Sequence, residues 1–176
     1  MGLRHTASTI RTRQHGVRLL GLVVAMALFA GAGRGAAPAP AKAATAADEG
    51  FPRSALEIRA AGGRQWFNIH IANTEPRKEL GLMYVTQLPA DEGMLFPEST
   101  PRITTMWMKN TLIPLDMLFI DTHGRIVCLL ENAKPESLEL LSCDKPAKAV
   151  LEIGGGEAHK RGIRVGDRVL HALFHP

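Results

Sequence analysis

The chain has 176 residues, with 21 Lys and Arg against 17 Asp and Glu, two cysteines and 45% hydrophobic residues. That length suits one domain with tails and leaves little room for two independent cores, and 5% aromatics makes any core aliphatic. The formal charge of +4 does not call for a nucleic-acid partner, because residues 1–46 hold six basic residues and no acid, leaving 15 basic and 17 acidic residues in the rest.

A basic stretch runs to Arg18, an apolar stretch of 13 residues follows from Leu19 to Gly31, and a small-residue tract continues to Ala47. Basic residues held in the cytoplasm, an apolar run for the translocon and small residues for the peptidase make up a secretory signal peptide. The apolar run falls short of the roughly 20 residues of a spanning helix, so no membrane anchor is expected after processing. Ala37-Pro38-Ala39, Ala41-Lys42-Ala43 and Ala44-Thr45-Ala46 all fit the cleavage pattern. We therefore read residues 1–46 as signal and processing region, 47–54 as a disordered linker and 55–176 as the folded domain, exported to the periplasm or beyond.

Within that domain Phe67, Ile69 and Ile71 alternate with Trp66, Asn68 and His70, the period of a half-buried strand. Ala55 to Ala60 precedes it across a hairpin turn at 61–64. Asn73 or Thr74 can cap a short helix, with Glu75 suited to its N-terminal end. Met94 to Phe96 reads as a short buried strand ended by Pro97, and Ile103 to Lys109 and Leu115 to Asp121 as further strands. Gly124 suits a left-handed turn into Arg125 to Leu130. Ala147 to Ile153, a helical turn at 157–161 stopped by Gly162, and Asp167 to Phe174 complete the set. The expectation is a mainly β (α+β) fold: one compact, largely antiparallel domain of about eight short strands and two short helices.

Several stretches carry a resemblance: Gly81-Leu82-Met83-Tyr84, then Gly93-Met94-Leu95-Phe96, then Trp107-Met108-Lys109-Asn110-Thr111-Leu112-Ile113-Pro114-Leu115-Asp116. Val150-Leu151-Glu152-Ile153, Gly155-Gly156 and Gly162-Ile163 with Gly166-Asp167 follow in order. Together, over roughly residues 55–174, they resemble the DUF192 family. The resemblance implies a small β-rich domain, often exported, and implies no reaction, because that family is one of unknown function. Val85 stands where the family usually has a basic residue.

No G-x-S-x-G, H-E-x-x-H or C-x-x-C motif is present, so the reading inclines away from an enzyme and assigns no catalytic residue and no cofactor. The polar cluster Lys109, Asn110, Thr111 and Asp116, with Trp107 beside it, is the candidate ligand site. It groups cation, amide, hydroxyl, carboxylate and indole around one inter-strand loop, a mixture suited to a polar envelope ligand such as a saccharide. The competing account is structural, with Asn110 and Thr111 satisfying the turn and Asp116 pairing with Lys109. Five of seven methionines fall between 83 and 117. Met106 and Met108 are weak candidates for Cu(I), and gap-filling in an aromatic-poor core explains them as well. Gly154-Gly155-Gly156 before a helix could cradle an anion or form a tight turn. Cys128 and Cys143, the only cysteines, can form a disulfide in an oxidising compartment. The function expected is that of an exported, non-catalytic binding or accessory module, with a copper-binding module and a hydrolase of envelope polymers as alternatives.

Overall fold

The computed structural model describes residues 50–174, so the signal-peptide reading and the first residues of the linker lie outside the described residues. Nine strands and two short helices follow in the order β1 (Arg53–Ala60), β2 (Gly63–Ile71), α1 (Glu75–Leu80), β3 (Glu92–Arg102), β4 (Thr105–Met106), β5 (Leu115–Ile120), β6 (Ile126–Ala133), β7 (Leu141–Ser142), β8 (Ala147–Gly154), α2 (Glu157–Lys160) and β9 (Arg168–Leu170). Residues 51–54, expected to belong to the linker, are part of the fold. Phe51 is buried, the Pro52 carbonyl accepts from the Ile71 amide at 2.8 Å, and Arg53 and Ser54 already pair in β1.

Seven strands form one mixed sheet in the order β6-β5-β8-β3-β2-β1-β9, and β4 pairs with β7 in a second, two-stranded sheet. All pairs are antiparallel except β2 with β3, where residues 72–91, including α1, carry the chain back to run alongside. The large sheet curls until its edges meet. The Ile126 amide donates to the Asp167 carbonyl at 3.0 Å and the Gly166 amide to the Ile126 carbonyl at 2.8 Å, and Arg125 bridges to Arg168. Gly124 makes the seam possible. It sits at φ 76°, and a Cβ there would collide with the Val169 carbonyl.

Closure gives the sheet an inner face and an outer face, and both are buried over β3, β5 and β8. Leu95, Leu118, Ile120, Ala149, Leu151 and Ile153 point into the inner core. Met94, Phe96, Met117, Phe119 and Val150 point into the outer one. Burial on both sides explains the unbroken apolar run of β5. The outer core is covered by residues 81–88, the 103–113 loop and the 134–146 excursion between β6 and β8. The disulfide between Cys128 on β6 and Cys143, with Cα atoms 6.3 Å apart, ties that excursion down.

Two expectations need correction. β3 runs through Pro97 to Arg102 instead of ending at Pro97, because its pairing with β2 stops at Leu95 and a register shift follows Pro97 on the β8 side. A proline is tolerated where no ladder partner needs its missing N–H. Ile103 to Lys109 is not a strand of the main sheet. Only Thr105 and Met106 are strand, paired with β7, and the rest is loop.

Candidate functional site

The outer face carries one unusual row. The register places His70, Met94, Glu152, Met117 and Leu130 side by side across β2, β3, β8, β5 and β6. Two ionisable groups thus lie in a row made to be covered. Among the described residues neither His70 ring nitrogen has a hydrogen-bond partner, and Nε2 stands 3.5 Å from Glu92 Oε2. Glu152 is 4% exposed, with methionines on both neighbouring strands. Desolvation alone pushes its carboxyl up to about 8, so the group is mostly protonated at neutral pH and can donate a hydrogen bond.

Glu152 lines the floor of a cavity of about 220 Å³. Leu80, Leu82 and Phe96 form apolar walls, the buried Thr111 also lines the cavity, and the exposed Trp107 and Lys109 lie at its mouth. The rim carries an ion-pair network built on α1 and β3. Glu98 receives Lys78 Nζ at 3.2 Å and Arg102 Nη2 at 2.9 Å, and Lys78 also lies 3.3 Å from Glu75. Burial pulls the Glu98 pKa upward, and its hydrogen bonds from Arg102 and Lys78 outweigh that and hold it below the usual value. The cavity thus combines paired charges on α1 and β3 with a buried neutral acid.

The residues grouped by sequence separate in space. Trp107, Lys109 and Thr111 come together at the cavity. Lys109 does not pair with Asp116; its ammonium lies 5.1 Å from the centroid of the Trp107 ring. Asn110 holds the turn at φ 57°, its carbonyl accepting from the Tyr84 amide at 2.9 Å and its side chain donating to Tyr84 Oη at 3.0 Å. Asp116 belongs to the inner face at the end of the barrel. Its carboxylate accepts from the amides of Asn132 at 2.8 Å, Gly156 at 2.9 Å and Ala158 at 2.9 Å. The glycine turn before α2 therefore does cradle an anion, and the anion is Asp116 itself. Met106 lines the cavity with Met83, whereas Met108 is fully buried in the outer core. Val85 is also buried there, a place where a basic side chain would need a partner.

Glu152, Lys78, Glu98 and Arg102 were not singled out from the sequence. One signal was available: a lone acid inside Ala147 to Gly154, a run otherwise apolar on both faces apart from Lys148. Such a residue is either paired or neutral.

A closed, mainly β barrel with a covered outer core, and a cavity roofed by the 103–113 loop, defines the class of domain. The chain belongs to the DUF192 family, whose model, described as "Uncharacterized ACR", matches residues 56–171. It is similar to a solved protein of unknown function from Novosphingobium aromaticivorans DSM 12444, at 36% identity and TM-score 0.69, covering 78% of this chain and 94% of that one. It is also similar to a solved Sinorhizobium meliloti 1021 protein provisionally described as a transcription regulator, at 36% identity and TM-score 0.68, covering 70% and 96%. No curated protein matches the sequence.

Proposed function

We propose that this protein is an exported, non-catalytic binding module of the cell envelope that holds a small polar ligand in the Glu152 cavity. The observation that carries the reading is the buried, neutral Glu152 carboxyl, which lines a cavity with Thr111 and Lys109 and makes no hydrogen bond or ion pair with the described residues. Export is supported by the basic, apolar and small-residue leader and by the Cys128–Cys143 disulfide, which persists in oxidising compartments. The description of the Sinorhizobium relative invites a DNA-binding reading. The acid excess beyond residue 46 argues against it, since phosphate contacts need surplus cations.

N-terminal sequencing of the exported product tests the first half: a start between Ala36 and Asp48 is expected, and a membrane-held chain retaining Met1 overturns it. A thermal-shift panel of envelope saccharides and small metabolites tests the second. Stabilisation by one class is expected, and turnover of any panel member replaces binding with catalysis. Copper binding is the second reading, favoured by the Met83 and Met106 thioethers at the cavity. Copper retained through purification and lost in M83L/M106L would select it.

A further inference from the structure

Sorting the polar groups of the cavity by whether they already have partners narrows what it can take. Lys78 and Arg102 are spent on Glu98, and Glu75 is turned to Lys78. Glu79 is exposed on α1. Glu152, Thr111, Lys109, Glu79 and Thr105 are left, with no side-chain hydrogen bond or ion pair to the described residues; Glu152 and Thr111 are buried and the other three exposed. A carboxyl buried without a cation holds its proton, here up to about pH 8, so at neutral pH it offers an O–H. The Thr111 hydroxyl can donate and the Lys109 ammonium can only donate. The two buried groups, Glu152 and Thr111, each have a proton to donate beside their acceptor lone pairs, and Lys109 is the one cation lining the cavity that no acid among the described residues engages, so a ligand that supplies anionic acceptors fits.

We propose that the cavity takes a small monocarboxylate, its oxygens received by the Glu152 carboxyl, the Thr111 hydroxyl and the Lys109 ammonium. The proposal rests on the binding-module reading and names its ligand class. A carboxylate offers two oxygens with about four lone-pair sites, enough for three donors. Leu82 and Phe96 supply an apolar wall for a short carbon skeleton. Charge balance agrees. Lys78, Arg102 and Lys109 offset Glu75, Glu79 and Glu98, so the site is neutral while Glu152 keeps its proton. Ionised Glu152 would put a negative charge at the floor and expel an anion, which makes binding proton-linked. A cationic ligand meets the unpaired Lys109 at the mouth.

The test titrates acetate, lactate and glucuronate into the purified protein by calorimetry, with ethylamine and glucose as cationic and neutral counterparts and Thr111 amide shifts to locate binding. At least one carboxylate is expected to bind below neutral pH. Its affinity should fall about tenfold per pH unit once Glu152 ionises. Glu152→Gln keeps a donor and should bind without that fall. Lys109→Ala, an exposed substitution that carries the test if the Gln variant does not fold, should weaken binding about tenfold. A flat or rising pH profile, preference for ethylamine, or no binding by any of the three carboxylates overturns the proposal. Glucose bound at the cavity in their place keeps the binding-module reading and sinks this one, and binding by none of the five sinks both.

Discussion

Glu152→Gln should make the protein more stable as pH rises. The folded state holds the Glu152 proton up to about pH 8, whereas the unfolded chain releases it near its ordinary value of 4.5. This is an acid raised by folding. Its contribution is fully present below about pH 4.5, is lost as pH climbs through the window, and falls no further above about pH 8. Each unit within the window costs about 1.4 kcal/mol, so the penalty is about 3 kcal/mol at pH 7 and about 5 kcal/mol at its limit. A domain of this size has about 5–15 kcal/mol in all, so the effect is large. Urea midpoints of parent and variant, compared from about pH 5 to about pH 9, isolate it. His171, whose burial lowers its pKa, and Glu98 and Glu157, which their cationic neighbours lower, titrate in both proteins and cancel in the difference. The difference curve should rise through neutral pH and then level off. Curves parallel within about 1 kcal/mol would refute the claim that Glu152 is buried without a partner.

Asp116→Asn should cost about 3–5 kcal/mol by urea unfolding, because one carboxylate oxygen becomes an NH2 group that meets either the Ala158 amide or, flipped, the Asn132 and Gly156 amides donor against donor. A loss below about 1 kcal/mol would deny it the role of fixing α2 to the barrel end. Reducing the Cys128–Cys143 disulfide should cost about 3 kcal/mol by chain entropy and weaken ligand binding as well, since it releases the excursion that covers the outer core. Two free thiols in unfolded, unreduced protein would show that the bond is not there.

The elements legible in the sequence were those whose pattern is local. QWFNIHIA alternates because β2 has one buried residue in two over most of its length, and the strand emerges where that period predicts. The turn at Ala61–Gly62 and the left-handed Gly124 follow from backbone geometry alone. What could not be read depends on which strand lies next to which. Pro97 stops a strand only when both edges are paired, and here one is not. Asp116 looks like a partner for Lys109, seven residues away, until closure brings the amides of Asn132, Gly156 and Ala158 to it. The chain's nearest opposite charge was therefore the wrong place to look for its partner.

The cavity shows the same limit more sharply. Trp107, Lys109 and Thr111 are close in sequence and share the site because one short loop carries them. Their counterpart, Glu152, comes from a strand some forty residues later and reaches them only because the sheet closes and buries its outer face beneath that loop. The outer core is thus more than packing. Without the roof formed by the 103–113 loop, Glu152 would meet water, ionise in the ordinary range and lose the proton that makes it a donor. The roof is held by the β4–β7 pair and by the Met108 amide donating to the Ser137 carbonyl at 3.1 Å, and the disulfide fixes the far side of that same excursion. Oxidation of two cysteines, cover of the outer core and protonation of one glutamate are therefore linked. A perturbation of any of them should be readable at the other two.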